Sequence, residues 1–252
     1  MGTIGSNGVY VEQRPKRLLF SGETAEVITN YFAFDHPLAE ICRSFPNDPA
    51  MRAARNFCEG LRIIRQPRWE CLATFITSSM KQVAHIRQIS RTLRTRYGKR
   101  HQVGNCDVHS FPAPHRIAKL TERDLQACAL GYRAKNVLAT ARLAASGEAD
   151  LERWSDLSDE SLRARLCELP GVGAKVANCV MLFAYERLRA FPIDVWIERV
   201  LKQQYFPRKR NVNTAQLRAF CENYFGEHGG YAQQYLFHHA RKGGAAPRGI
   251  AK

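Results

Sequence analysis

The sequence lacks any long hydrophobic run. No stretch of its 252 residues approaches the ~18–20 uninterrupted apolar residues that a membrane-spanning helix needs. The opening residues, MGTIGSNGVYVEQRPKR, also lack the apolar middle of a secretory signal peptide. We therefore expect a cytoplasmic protein with no membrane partner. With 45% hydrophobic residues, the chain can still bury a core in one large domain or in two or three small subdomains.

Closely paired cysteines are also absent. The eight cysteines, at positions 42, 58, 71, 106, 128, 167, 179 and 221, form no C-x-x-C pair, and several lie within apolar runs. This pattern is typical of buried free thiols in a reducing compartment. A zinc site or an iron–sulfur cluster would need clustered ligands. The nearest approach to one is Cys106 and His109, with His101 and His115 around them. We therefore expect no metal and no cofactor.

Acidic residues are scarce relative to basic ones. The chain has 23 Asp and Glu against 38 Lys and Arg, which gives a formal net charge of +15. Such a balance attracts polyanions, and nucleic acid is the usual one. On charge alone, a basic soluble protein without such a partner remains the alternative.

Segments that alternate polar and apolar residues with period two are few. NGVYVEQ and RLLFSGE, near the start, are the strand candidates. From about residue 24 the apolar residues follow helical spacing, with Thr24 and Asp35 as candidate N-caps. Glycine- and proline-containing breakers separate further predicted helices at roughly 50–63, 68–79, 82–97, 122–129, 132–146, 158–168, 174–187, 194–205, 214–225 and 230–242. The sequence therefore predicts a mainly α protein with a small β-containing N-terminal piece.

The stretch LPGVGAKVANCV, residues 169–180, predicts a tight glycine turn between two helices. Glycines permit close backbone approach, so several N–H groups and the positive end of the second helix can point outward together. That arrangement suits a phosphate of DNA. The order G-x-G-x-K is not a phosphate-binding P-loop, and no strand precedes it as the dinucleotide motif requires. Taken alone, the motif fits a purely structural turn equally well.

Lys175 in this stretch has a potential partner in Asp194, which follows Pro192 and opens another predicted helix. A helix N-cap is the simplest role for Asp194, and a cap would also hold the carboxylate ionised and aimed. The pair suits amine catalysis at a sugar C1′. A neutral lysine attacks the anomeric carbon, while a carboxylate stabilises the positive charge or handles protons.

These residues resemble the 8-oxoguanine DNA glycosylase family of the helix-hairpin-helix DNA glycosylase superfamily. The resemblance lies in LPGVGAKVANCVMLFAY followed by FPIDVWIERV, and it extends over roughly residues 24–240. The segments GLRIIRQPRWECLATFITSSMKQVAHI, FPAPHRIAKLTERDLQACALGYRAKNV and GGYAQQYLFHHA are similar to family segments in order and spacing. The combination is far more specific than a lone hairpin, which indicates only general DNA binding.

The resemblance implies a role for each matching residue. Lys175 would be the Schiff-base nucleophile and Asp194 the essential carboxylate. Gln233 would bond the Watson–Crick edge of a flipped base, Phe237 would stack on its face, and Cys179 would pack near the opposite face. From their positions alone, Gln233 and Phe237 would instead be interpreted as core or solvated helix residues.

The resemblance also implies contacts with the duplex. Tyr132 and Arg133 would wedge into the duplex and bond the estranged cytosine. The hairpin residues Gly171, Val172 and Gly173 would hold the DNA backbone, which carries no sequence information.

Two departures from the family concern DNA contacts. The family's usual asparagine run is here Met80, Lys81 and Gln82, and His85 stands where an arginine is expected. Since that asparagine and arginine contact the widowed cytosine, strict preference for cytosine is in doubt. Met80 could still intercalate, and Lys81 could still bind phosphate. Trp196 stands where a histidine is usual near the DNA backbone.

The resemblance further implies a two-subdomain helical helix-hairpin-helix fold with a shortened antiparallel β piece, an α+β remnant, at the N-terminus. The family normally has a longer N-terminal part, which includes a glycine whose carbonyl reads N7 of the lesion. We expect an N-terminal domain over 1–67, a helical glycosylase region over 68–242 and a disordered basic tail over 243–252.

The function implied is that of a bifunctional DNA glycosylase and abasic-site lyase. It would act as a monomer on duplex DNA containing oxidised guanine, near the nucleoid if the source is bacterial. A non-catalytic DNA-binding protein and a glycosylase of altered lesion specificity are the alternatives. A binding protein would need neither Lys175 nor Asp194.

Overall fold

The computed structural model describes residues 1–15, 17–78, 82–209 and 211–243. Over these residues the chain forms thirteen α-helices and five strands, as the sequence predicts for a mainly helical fold with a small antiparallel sheet. None of the described helices is both long and apolar enough to span a membrane. Met80, Lys81 and all but the first residue of the predicted tail lie outside the described residues.

The chain divides into two compact units, and each unit combines two segments of the chain. The first unit comprises Met1–Phe32 and Arg65–Tyr185, and the second comprises Ala33–Ile64 and Glu186–Lys252. The predicted domains 1–67 and 68–242 are consecutive segments instead, and that division stays a prediction.

The strands of the first unit form two antiparallel sheets. The predicted strands near the start are confirmed as β2 (Asn7–Arg14) and β3 (Arg17–Ser21), and β1 (Gly2–Ile4) pairs with the other edge of β2. A second hairpin, β4 (Arg100–Val103) and β5 (Cys106–His109), was not predicted, because its four-residue strands are too short to show a clear alternation.

The helices of the first unit surround a core formed where α4 (Arg68–Thr77) packs against α8 (Ala134–Ser146) and α10 (Ala174–Ala184). Leu72 and Ile76 of α4, and Val180 and Met181 of α10, are almost fully buried. Thr24 caps α1 as predicted, because its side chain accepts from the Val27 N–H. These helices are α1 (Ala25–Tyr31), α4 (Arg68–Thr77), α5 (Val83–Tyr97), α6 (Pro114–Ile117), α7 (Glu122–Gln126), α8 (Ala134–Ser146), α9 (Asp159–Glu168) and α10 (Ala174–Ala184).

A half-buried ion pair ties α4 and α5 to the N-terminal strands. The Arg94 guanidinium pairs with Glu70 and also donates to Thr3 Oγ1 at 2.8 Å and to the His109 carbonyl at 3.1 Å. Burial raises the pKa of the Glu70 carboxyl, although the neighbouring Arg94 acts in the opposite direction. Arg94 therefore bonds α5 to three separate segments of the chain.

The helices of the second unit pack around α13 (Gly229–Lys242), which contacts α3 (Pro49–Phe57) and α11 (Val195–Tyr205). Tyr231 and Tyr235 of α13 are completely buried. The predicted N-cap at Asp35 is wrong, because the helix that follows begins only after Pro37. The helix predicted over 50–63 ends early, at Phe57. The helices of this unit are α2 (Leu38–Arg43), α3 (Pro49–Phe57), α11 (Val195–Tyr205), α12 (Thr214–Tyr224) and α13 (Gly229–Lys242).

Candidate nucleic-acid interface and catalytic residues

The glycine turn between α9 and α10 has the predicted helix-hairpin-helix form. The Val172 N–H donates to the Leu169 carbonyl at 3.1 Å, and α10 begins directly after Gly173. Gly171 has a φ of +81°, and a Cβ there would lie 2.6 Å from Nδ2 of Asn136. Glycine at this position is therefore required by the fold itself.

Gly173 differs from Gly171, because none of the residues that the structure describes would contact a Cβ added there. Its φ of −102° is also accessible to any residue. Gly173 is the N-cap of α10, and no side chain caps that helix. The first N–H groups of α10 therefore lack an intrahelical partner and can bind an anion from outside. The absence of a side chain at Gly173 leaves the approach to these N–H groups open.

Lys175 lies at the start of α10, half-buried. Its Nζ donates to Ser78 Oγ at 3.2 Å and lies 5.4 Å from the centroid of the Phe75 ring. Ser78 Oγ in turn donates to the Phe75 carbonyl at 2.7 Å, which directs an oxygen lone pair towards the amine. Within the described part of the chain no carboxylate pairs with Lys175. The amine is thus held in place without an ion pair that would fix its charge.

Cys179 follows Lys175 by four residues on α10, so the two side chains share one face of the helix. Its thiol is buried. The packing of Cys179 near one face of the flipped base stays a prediction.

Tyr132 and Arg133 occupy a 3₁₀ turn, Gly131–Arg133, that leads into α8. The Tyr132 side chain is 58% exposed, whereas Arg133 is only 4% exposed. The Arg133 guanidinium lies 4.2 Å from the centroid of the Tyr132 ring. In this structure Tyr132 is therefore the presented side chain and Arg133 supports its ring. His85 and Gln82 are exposed at the start of α5.

Asp194, in the second unit, is the N-cap of α11. Its Oδ1 accepts from the Ile197 N–H at 2.8 Å, which confirms the predicted capping role. The carboxylate is partly exposed, and the capping bond uses only one of its two oxygens. Trp196 is partly buried in the first turn of the same helix. One oxygen of Asp194 therefore serves the fold while the carboxylate stays accessible.

Gln233 and Phe237 lie four residues apart on α13. Gln233 is only 3% exposed, and its Nε2 donates to the Pro192 carbonyl at 2.9 Å. Its Oε1 accepts from Gln234 Nε2 at 2.5 Å. Phe237 is partly exposed, with the Arg241 guanidinium 5.2 Å from its ring centroid. The structure thus brings Gln233 to the short segment that holds Asp194.

The predicted site residues fall into two sets, one in each compact unit. The first-unit set includes the nucleophile candidate and the second-unit set includes the carboxylate candidate. The first-unit set is Tyr132, Arg133, Gly171, Val172, Gly173, Lys175, Cys179 and His85. The second-unit set is Asp194, Trp196, Gln233 and Phe237.

A cavity of about 580 Å³ in the first unit contains none of the predicted site residues. Trp69, Tyr97 and Phe111 line it. Among the residues that the structure describes, no group of three or more histidine, cysteine, aspartate or glutamate side chains could hold a metal ion. Cys106 and His109 instead lie on β5.

Three contributing residues were missed by the sequence analysis: Ser78, Phe75 and Asn136. Ser78 and Phe75 contact the Lys175 amine from the end of α4, about a hundred positions earlier in the chain. Asn136 lies under Gly171 from α8. Serine, phenylalanine and asparagine in helices are common, so only the folded chain reveals these contacts.

Comparison with known proteins adds two family matches that together cover most of the chain. The model of the 8-oxoguanine DNA glycosylase N-terminal domain matches residues 6–72. The model of the HhH-GPD superfamily base excision DNA repair protein matches residues 73–224.

Individual relatives agree with these matches. A probable N-glycosylase/DNA lyase of Methanothermobacter thermautotrophicus is 30% identical, over 81% of this chain and 71% of that protein. The 8-oxoguanine glycosylase/lyase of Clostridium acetobutylicum, solved with double-stranded DNA containing cytosine opposite 8-oxoguanine, is also 30% identical. The match covers 93% of this chain and 82% of the Clostridium chain, with a TM-score of 0.88. MBOgg1, solved with a low-affinity DNA ligand, is 30% identical over 94% of this chain and 82% of its own, with a TM-score of 0.89.

Proposed function

The chain belongs to the 8-oxoguanine DNA glycosylase family within the HhH-GPD superfamily and is an N-glycosylase/DNA lyase for base excision repair of oxidised guanine, and from this premise we propose which residues perform the reaction. Lys175 is the nucleophile and Asp194 is the carboxylate that assists it. The observation that carries the proposal is the Lys175 amine, half-buried beside the hairpin and held by a neutral hydroxyl.

The proposed reaction begins at C1′ of the damaged nucleotide. Neutral Lys175 Nζ forms a bond to C1′ as the bond from C1′ to the base nitrogen breaks, and the electron pair leaves with the base, which takes up a proton. The Asp194 carboxylate stabilises the positive charge that develops on the sugar. The sugar then opens to an imine on Lys175. Loss of a proton from C2′ and departure of the 3′ phosphate complete the lyase step.

The residues that we propose to contact the flipped base are Gln233, Phe237 and Cys179. Gln233 bonds the Watson–Crick edge of the flipped base, and Phe237 stacks on its face, as base-flipping enzymes require. The partly exposed ring of Phe237 supports this role. Gln233 must exchange its bond to the Pro192 carbonyl, or that to Gln234, for one to the base.

The proposed partner is duplex DNA containing oxidised guanine, bound by a monomer in the compartment that holds the chromosome. Gly171 and Gly173 present backbone N–H groups to a phosphate, with Val172 between them, and exposed Tyr132 enters the duplex with Arg133 behind it. His85 and Trp196, together with Met80 and Lys81 outside the described residues, make the remaining contacts. Since Met80, Lys81, Gln82 and His85 replace the residues expected to contact cytosine, we propose relaxed selection of the opposite base.

Borohydride trapping tests the proposal directly, because borohydride reduces the imine to a stable amine and so links protein to DNA. We expect the wild-type protein to form this adduct on a duplex with 8-oxoguanine opposite cytosine, and Lys175→Gln to form none. Lys119→Gln, at an exposed lysine of the same unit, is the matched control and should trap like wild type. An adduct with Lys175→Gln would remove Lys175 from the mechanism.

Cleavage assays on 8-oxoguanine, formamidopyrimidine and normal guanine, each opposite all four bases, test specificity. We expect 8-oxoguanine to be cleaved less than tenfold faster opposite cytosine than opposite the other bases. A hydrogen bond contributes about 1 kcal/mol, so gaining or losing one changes a rate by less than tenfold. Faster cleavage of another lesion would favour the alternative of altered lesion specificity. The alternative of a non-catalytic DNA-binding protein is set aside by the family to which the chain belongs.

A further inference from the structure

The chain around α5 carries positive charge without any acidic residue. Between Gln82 and Cys106 the sequence contains no aspartate or glutamate. It contains six basic residues that are charged at neutral pH: Arg87, Arg91, Arg94, Arg96, Lys99 and Arg100. The segment is therefore a continuous run of one sign of charge.

Helix stability does not account for the run. A helix is stabilised by a capping side chain and by acidic residues in its first turn, and α5 has neither. By contrast, α9 is capped by Ser158 and begins with Asp159 and Glu160. The start of α5 therefore lacks the stabilising pattern that α9 follows.

Two of the six basic residues pair with a carboxylate of the first unit, and two more lie near the end of the helix. Arg94 pairs with Glu70, and Arg100 lies 2.6 Å from Asp107. Arg94 and Arg96 also lie in the last turn of α5, where a positive charge interacts favourably with the helix dipole. Lys99 lies beyond the end of the helix and lines the cavity of the first unit.

Arg87 and Arg91 remain. Both are exposed, and they lie on the face of α5 opposite Ile89 and Leu93, which are buried. Four residues separate them, so their side chains are neighbours and repel each other. Across the described ranges neither arginine has a carboxylate partner. The arrangement weakens the helix slightly, and it leaves two unneutralised guanidinium groups side by side at the surface.

We propose that this outer face of α5, defined by Arg87 and Arg91, is a second phosphate-contacting surface for duplex DNA, in addition to the hairpin. The inference rests on the proposed binding of duplex DNA. Its support is charge complementarity: two adjacent free guanidinium groups fit the closely spaced phosphates of a backbone strand. Arg94, three residues after Arg91, anchors the C-terminal half of the helix to Thr3 and to the His109 carbonyl.

The contact would be independent of base sequence, since it involves only the backbone. It would strengthen binding to undamaged DNA and so keep the enzyme on the duplex between lesions. Because α4 packs against both α5 and α10, the surface belongs to the same compact unit as the hairpin.

The test measures binding of an undamaged duplex over a range of salt concentrations, for the full chain and for two double variants of equal net charge. The first is Arg87→Gln with Arg91→Gln. The matched control is Arg153→Gln with Arg165→Gln, because those exposed arginines lie 3.5 Å from Asp150 and 3.2 Å from Glu168. A third variant, Arg87→Lys with Arg91→Lys, keeps the charge. Thermal unfolding checks that every variant folds.

We expect the first variant to lower the slope of log K against log salt by about 2, since each phosphate contact contributes roughly 0.9. Its affinity at low salt should fall tenfold or more, while the control changes by less than threefold and the lysine variant keeps the wild-type slope. Equal weakening by the first variant and the control, or an unchanged slope, would overturn the α5 surface. Failure of the wild-type chain to bind duplex DNA would instead contradict the proposed function.

Discussion

Lys175 of the first unit differs from Asp194 and Gln233 of the second unit in how much the fold depends on it. In the first unit, Lys175 donates a hydrogen bond to Ser78, and among the described residues it caps no helix and forms no ion pair. In the second unit, Asp194 caps α11. The side-chain amide of the buried Gln233 donates one hydrogen bond and accepts another. A side chain with few bonds is available for covalent chemistry, whereas a fully bonded one is fixed in orientation. Lys175 is thus separable from stability, whereas Asp194 and Gln233 are not.

Lys175→Gln should show the largest difference between its effect on base excision and its effect on stability. We expect base excision to fall on the order of 10⁴-fold or more, as on removing a nucleophile. The free energy of unfolding should change by less than about 0.5 kcal/mol, because no buried partner loses a bond. Single-turnover cleavage and urea unfolding of the same preparation measure the two effects. A loss of several kcal/mol in stability would show that Lys175 also supports the fold.

Asp194 allows chemistry and capping to be separated by a pair of variants. Asparagine caps a helix about as well as aspartate, so Asp194→Asn should unfold like wild type, whereas Asp194→Ala should lose about 1 kcal/mol. Both should lower base excision by about 10²- to 10⁴-fold, because both remove the carboxylate. Full activity in Asp194→Asn would remove the carboxylate from the mechanism.

The two hairpin glycines repeat the comparison within one turn. Gly171→Ala should cost at least about 1–2 kcal/mol, because alanine resists positive φ and its Cβ meets Asn136. Gly173→Ala should cost less than about 1 kcal/mol but weaken duplex binding roughly tenfold, the equivalent of one lost contact. Denaturant unfolding and salt-dependent binding distinguish the two. Equal effects of both variants on stability would contradict the division.

Gln233→Ala should show that the second set is built into the fold. Truncation leaves the buried Pro192 carbonyl without its donor, at a cost of about 1–3 kcal/mol. Discrimination between 8-oxoguanine and guanine should fall at the same time. Thermal unfolding and paired cleavage assays give the two quantities. Unchanged discrimination in a folded Gln233→Ala protein would place base recognition elsewhere.

Ser78→Ala should have the smallest effect. Removing the hydroxyl frees the Lys175 amine to adopt other rotamers, so we expect base excision to fall only about three- to tenfold, with one neutral hydrogen bond lost. Ser78→Thr, which keeps the hydroxyl, should recover most of the rate. If neither substitution changes the rate of imine formation, Ser78 does not position the amine.

The sequence by itself determined the helices, the hairpin and the candidate residues. Local patterns carry this information: helical spacing predicts the long helices, Thr24 and Asp194 are caps because their side chains reach their own helix, and GVG gives the turn. The same locality explains the errors. Short strands such as β4 and β5 have too little periodicity to be recognised, and a candidate cap at Asp35 is overridden by Pro37.

Only the tertiary structure decided which residues support the site. Ser78 reaches Lys175, Asn136 lies under Gly171, and Gln233 bonds the Pro192 carbonyl across long separations in the chain. The tertiary structure also gave different roles to two neighbours in sequence, because it exposes Tyr132 and buries Arg133. On α5 it leaves Arg87 and Arg91 exposed. The physical reason is that burial and long-range bonds depend on which surfaces meet when the chain folds, and no local spacing encodes that.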